Sequence, residues 1–199
     1  MKPVNSISRF WRSGAWLSLA ILLISGCASL SPSQTGTAPA RVALNAFAIE
    51  GRFSLRHENK NYSGKLSWRH QGADNTLLLS SPFGQGMAEI TTRASGAQLT
   101  TSDGKLYTAA DTETLTQQVL GYPLPLAQLT DWVRGRDDAP GLAERDAFGR
   151  PLRLSHQDWR IEYGYEGDDP AAAPSRIFAE RTGGLELRLK IDEWTSLTP

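Results

Sequence analysis

The 199-residue chain has one cysteine, Cys27, and only three histidines, His57, His70 and His156, scattered along it. A single thiol excludes an intramolecular disulfide framework and a multi-cysteine zinc site, and isolated histidines argue against a histidine metal cluster. No charge of one sign dominates: 21 Lys and Arg face 21 Asp and Glu. That balance argues against a nucleic-acid binder, which needs a basic surplus. The apolar run at residues 15–24 is only ten residues long, whereas a membrane-spanning helix needs about 20. Nucleotide and hydrolase signatures are missing too. There is no GxxxxGK[ST], HExxH or GxSxG, and Gly84-Gln85-Gly86 lacks the rest of a phosphate loop. Ser67 near His70, and Ser155 near His156, sit at ordinary strand-end positions. The acid pairs Asp137-Asp138 and Asp168-Asp169 lie in Gly-, Pro- and Ala-containing stretches and read as solvated turns.

What is present begins with an N-terminal address. Lys2, Arg9 and Arg12 precede the short apolar run, and no acid occurs before Glu50. This is the layout of a signal peptide. The run ends in Ile24-Ser25-Gly26-Cys27, which resembles the bacterial lipobox; the alternative is an ordinary signal peptide with an incidental cysteine. In a lipobox protein the Cys27 thiol is diacylated, the chain is cut before it, and the new amine is acylated. The expected division is a cleaved segment 1–26, a lipidated tether 27–40 rich in small and polar residues, and a folded domain 41–199. Cleavage removes three cations and leaves a net charge of −3, so attachment to an anionic bilayer falls to the lipid. By resemblance to bacterial lipoproteins, Ala28, rather than Asp, after the cysteine favours export to the outer membrane.

The rest of the chain alternates with period two. Phe47, Ile49, Phe53 and Leu55 alternate with Glu50, Arg52, Ser54 and Arg56; Tyr62, Gly64, Leu66 and Trp68 alternate with Ser63, Lys65, Ser67 and Arg69. Such segments are half-buried strands. Further strands are expected at 76–81, 87–93, 97–102, 105–108, 159–165, 176–181 and 185–191, with Asp103-Gly104 and Gly183-Gly184 as turns. The middle is different. Asp111 can cap a helix over 112–120 that Gly121 stops, and residues 126–133 place Leu126, Leu129, Trp132 and Val133 at helical spacing. Residues 136–150 read as loop. Sequential strands with short turns give an antiparallel meander, and the helices must bury their apolar stripes against one face of it. The expected fold is mainly β with a few short helices (α+β): an unclosed, strongly curved antiparallel β-barrel with helices covering or filling its concave side. An eight-stranded membrane barrel alternates likewise, but the lipobox and the mid-chain helices argue against it.

Two features remain. Aromatic side chains crowd the inward face, Trp68, Trp132 and Trp159 with Phe47, Phe53, Tyr62 and Tyr163. They form either a packed core or the wall of a cavity for an elongated apolar ligand. The leucine strand 77–79 also runs into Ser80-Ser81-Pro82-Phe83-Gly84, and turn tips are usually polar. Phe83 either folds back as a core plug or protrudes towards a membrane or partner.

Several stretches together resemble the LolB family, the outer-membrane lipoprotein receptors of Gram-negative bacteria. They are Cys27 and its preceding residues, Gly51-Arg52-Phe53, LLLSSPFGQG at 77–86, GYPLPLAQLTDWVRG at 121–135, WRIEYGY at 159–165 and LELRLKIDEW at 185–194. The resemblance implies an unclosed barrel around an apolar cavity that accepts lipoproteins from the periplasmic carrier LolA and inserts them into the outer membrane. It implies no catalysis, no cofactor beyond the covalent lipid on Cys27, and a monomer facing the periplasm. Its partners would be the carrier, lipoprotein acyl chains and outer-membrane lipids, with no nucleic acid. Trp68, Trp132 and Trp159 match the family's tryptophans, so an acyl-chain cavity is expected against them together with Phe53, Leu129 and Tyr163. Phe83 stands where the family carries an exposed apolar residue, which implies a membrane-insertion loop. Transfer must run downhill, since an acyl chain of roughly 15 methylenes costs on the order of 10 kcal/mol in water and no nucleotide site supplies energy.

Overall fold

The structure, a computed structural model, describes residues 44–136 and 142–198. Cys27, the expected cleaved segment and tether, and Asp137-Asp138 lie outside the described residues. The chain makes β1 (Ala46–His57), β2 (Lys60–Gln71), β3 (Asp74–Ser80), β4 (Gly86–Arg93), β5 (Gly96–Thr101) and β6 (Leu106–Ala109). Helices α1 (Thr112–Leu120) and α2 (Leu126–Val133) follow. The chain then forms β7 (Leu142–Arg145), β8 (Pro151–His156), β9 (Trp159–Gly164), β10 (Arg176–Arg181) and β11 (Leu185–Ser196).

All eleven strands join one sheet in the order β6-β5-β4-β3-β2-β1-β11-β10-β9-β8-β7. Every neighbouring pair is antiparallel. The first and last strands meet in the middle, with Phe53 opposite Leu189 and Leu55 opposite Leu187. The edges β6 and β7 do not pair, so the barrel is unclosed. Alternation sets one face inward: Phe47, Ile49, Trp68, Ile161, Ile177 and Leu185 are buried there. Two glycines let strands approach where the sheet coils. A Cβ on Gly51, at the bulge between β1 and β11, would lie 2.2 Å from the Lys190 carbonyl oxygen, and one on Gly64 would lie 1.9 Å from that of Ser80.

The helices close over the buried face. Asp111 caps α1 by accepting from the Thr114 N–H at 2.7 Å, and Gly121 ends it in the left-handed region. Thr116 ties the helices together: its hydroxyl donates to Thr112 O and accepts from Leu124 N, each at 2.8 Å. Arg134, just past α2, is buried. It donates to Thr130 O and to Leu44 O at 2.9 and 3.1 Å and pairs with Asp131, which fixes the entry of β1 against α2.

One stretch differs from expectation. Within the expected loop 136–150 the structure has β7, and β8 follows where no strand is expected. The segment PLRLSH begins with Pro151 and leaves Leu152 exposed while burying Leu154. Its alternation is weak in the sequence and is set by its neighbour, with Leu154 opposite Ile161 of β9.

Candidate functional site

Between α1, α2 and the strands β1 to β5 lies a cavity of about 310 Å³. Phe53 and Leu55 of β1, Leu66 and Trp68 of β2, and Leu77 and Leu79 of β3 form one wall; Val119, Leu120, Leu126 and Leu129 of the helices form the other. Three hydroxyl-bearing residues are in the lining: Thr101 and Thr116 are engaged within the protein, and Tyr62 stands on the partly buried side. The cavity therefore offers an alkyl chain apolar contact and offers a polar ligand little to bond with. Its volume is at the small end of the ~300–1,000 Å³ usual for ligand sites. The wall residues Tyr62, Leu79, Ala88, Val119, Leu120 and Leu124 are only partly buried, and they mark its accessible side. There the ammonium of Lys60 donates to Leu120 O at 3.0 Å, serving a free carbonyl at the end of α1. Tyr122 packs edge-on against His57 at 4.6 Å, and burial pushes its phenol up to about 12.

Trp68 has two jobs in this wall. Its ring lines the cavity, while its N–H donates outward to Asn75 Oδ1 at 3.0 Å. The same oxygen meets His70 Nδ1 at 3.0 Å, and Asn75 Nδ2 donates to Thr92 Oγ1 at 2.9 Å. With the amide so fixed, His70 Nδ1 must be the donor. Burial pushes His70 below its ordinary pKa. The Asn75 hydrogen bond opposes this shift, Arg134 adds to it and Asp131 opposes it.

The structure separates the expected site residues. Phe53, Trp68 and Leu129 lie on the cavity wall. Trp132, Trp159 and Tyr163 do not. Trp132 and Trp159 pack on each other at 5.3 Å and line a cleft of about 70 Å³ with His156, Gln128, Glu113 and Arg181. Tyr163 is buried on β9 opposite Ile177, three strands from β1. The physical reason is sheet order: β8 and β9 lie on the far side of β11 and β10, so the side of α2 bearing Trp132 meets them while Leu126 and Leu129 meet the cavity. Sequence reading also overlooked Leu77, Leu79, Leu99, Val119 and Leu124 as wall residues. The available signal was the triple leucine, in which 77 and 79 share a face while Leu78 points out and is half exposed.

Phe83 protrudes. It is 94% exposed at the tip of a turn held by Ser81 N to Gln85 O at 2.7 Å and Gly84 N to Ser81 O at 2.8 Å. The core-plug alternative is therefore not the one adopted. Among the described residues no His, Cys, Asp and Glu group is placed to hold a metal ion, and no helix is long and apolar enough to cross a membrane.

The family model described as "Outer membrane lipoprotein LolB" matches residues 45–194, nearly the whole described domain. The chain belongs to the LolB family. The outer-membrane lipoprotein LolB of Dechloromonas aromatica (strain RCB) is 38% identical over 183 residues, covering 89% of this chain and 95% of that one. That of Thiobacillus denitrificans (strain ATCC 25259 / T1) is 36% identical, covering 87% and 92%. Among solved structures, a putative outer-membrane lipoprotein-sorting protein domain from Vibrio parahaemolyticus aligns with a TM-score of 0.50 at 9% identity, over 79% of this chain and 89% of that one. At that identity the likeness concerns the fold alone. As a LolB-family lipoprotein, this protein is lipid-anchored at the outer membrane and acts in lipoprotein localisation.

Proposed function

We propose that the domain receives the acyl chains of a lipoprotein from the periplasmic carrier LolA into the cavity and releases them into the inner leaflet of the outer membrane. It performs no catalysis. The observation that carries this reading is the cavity walled almost wholly by apolar side chains, in which the Thr101 and Thr116 hydroxyls are already engaged inside the protein. Phe53, Trp68 and Leu129 contact the chain, and acylated Cys27 holds the protein, as a monomer facing the periplasm, at its destination. Phe83 touches the bilayer. Burying an exposed Phe contributes about 1.5–3 kcal/mol, too little to anchor the domain and enough to orient a tethered one.

The test places a photoreactive residue at 53, 129 or 132, and at exposed Gln98 as control, and presents carrier-bound lipoprotein. Crosslinks at 53 and 129 are expected, with none at 98. Equal labelling at 98 would defeat the cavity reading. Phe83→Glu should leave thermal unfolding and acceptance unchanged while impairing delivery to liposomes. Unchanged delivery would remove the insertion role.

A further inference from the structure

The outward face of the sheet carries a feature that the cavity does not explain. Lys65 of β2, Arg52 of β1, Lys190 of β11 and Arg176 of β10 stand directly opposite one another in register, four cations in a row across four strands. Like charges directly opposite in a sheet destabilise it. Asp192, at the bulge beside the row, takes Arg52 at 2.9 Å and Lys190 at 3.3 Å. Of the neighbouring acids, Glu186 is engaged by Arg56 and Arg188 and Glu162 by Arg153 and Arg160, while Glu50, one step along the same face of β1, accepts from the Ser67 hydroxyl at 2.6 Å. Lys65 and Arg176 have no ion pair or hydrogen-bonded side-chain partner among the described residues. Arg176 lies across Gly164, where a Cβ would come within 2.9 Å of its Nε. Arg52, Arg176, Arg188 and Lys190 border an open depression of about 670 Å³.

The row leads to Phe83. Lys65 is opposite Ser80, and Ser80 is opposite Gly86, so the residues flanking the Phe83 turn occupy the same level as the cations. From Ser80 to Arg176 is four strand spacings, roughly 20 Å. The approach direction is also constrained. The β1–β2 hairpin runs five residues, Lys60 to Lys65, past that level. A bilayer approached end-on would meet the hairpin tip before Phe83, whereas one approached side-on meets Phe83 and the cation row together.

We propose that this row docks on the anionic phospholipid headgroups of the bilayer, so that the domain lies side-on with Phe83 dipped into the lipid. The assignment rests on the reading of Phe83 as a membrane contact. A line of cations at strand spacing, ending in an apolar tip, matches a plane of phosphates over hydrocarbon; each cation near an anionic surface adds about 1 kcal/mol, or about fivefold in binding, to whatever apolar contact the protein makes.

The test uses the chain from residue 27 with Cys27→Ser, so that no acyl chain contributes. Cosedimentation is measured with vesicles of phosphatidylcholine containing phosphatidylglycerol and with vesicles of phosphatidylcholine alone. Binding to the anionic vesicles is expected to exceed binding to the neutral ones and to fall with salt. Lys65→Glu with Arg176→Glu should lower it at least about tenfold, since each cation near an anionic surface is worth about fivefold. Thermal unfolding should not fall, because neither side chain holds a partner and each new Glu faces a cation, Arg52 or Lys190, across the strand. Equal binding to both vesicle types, or an unaffected double variant, overturns the docking row. Competition by soluble polyglutamate as strong as that by anionic vesicles reassigns the row to an acidic protein and overturns the lipid partner. Phe83→Ser without effect on either vesicle, while the double variant fails, removes the Phe83 reading and leaves the row standing.

Discussion

Trp68 and the Trp132–Trp159 pair are the same residue type on the buried side of the same sheet, yet they are held in opposite ways. Trp68 borders the cavity, packs against Phe47 and turns its N–H into a buried polar relay, Asn75 with His70 and Thr92. Trp132 and Trp159 give their faces to each other and border a small cleft with charged residues, where Arg181 pairs with Asp158 at 2.6 Å. A wall that must stay open needs rigid support from behind, because nothing inside pushes back. A packed pair supports itself. The first cluster therefore couples the cavity wall to a buried hydrogen-bond network, and the second is a structural joint between α2 and the β8–β9 hairpin.

The largest expected effects come from truncation. Trp68→Ala and Trp132→Ala each remove a side chain only 1% exposed and should cost about 3–5 kcal/mol, read by urea unfolding. Their functional signatures should part. At equal folded fraction, Trp68→Ala should alter uptake of an alkyl probe and Trp132→Ala should not; the reverse result would break the comparison. A cleaner separation fills the space. Leu77→Trp projects into the cavity and should cost about 1–3 kcal/mol of overpacking while abolishing probe uptake. Trp159→Phe should leave uptake intact.

A smaller effect follows pH. Because His70 titrates lower in the folded chain than its ordinary 6.5, protonation favours the unfolded state. The stabilisation from neutral His70 is fully present above pH 6.5 and is lost as pH falls through the folded value. Unfolding followed between pH 7 and about pH 5 should show this loss, and His70→Gln should flatten it. Persistence of the same slope in the variant would place the titration elsewhere. The smallest effect belongs to the far cluster: Asp158→Asn breaks a part-exposed pair with Arg181 and should cost less than about 1 kcal/mol, with uptake unchanged.

How much of this was legible depends on how local each signal is. Asp111, Gly121 and the 3–4 spacing of Leu126, Leu129 and Trp132 gave both helices with their bounds. Alternation through β1, β2, β9 and β11 gave the buried face of each. It failed at β7 and β8, where Pro151 and an exposed Leu152 blur the period and the partner strand decides. The family resemblance grouped six residues into one site; all six point inward, but neither the period of two in the strands nor the helical spacing of Leu129 and Trp132 reports where around the sheet a residue sits. The cation row was invisible for a related reason: Lys65, Arg52, Lys190 and Arg176 are scattered through the sequence and meet only through register.

By itself, then, the sequence determined most strand periods, the helix periods, the turns and the family, because each is written in residues close together in the chain. Tertiary structure decided which aromatics border empty space, that Phe83 stands clear of the core, and that four cations line up. Those outcomes depend on pairings such as Arg52 with Lys190 or Phe53 with Leu189, residues far apart in sequence that the antiparallel join of β1 and β11 brings to adjacent positions. Side-chain direction is a property of one strand's backbone, whereas position around a curved sheet is a property of every strand between.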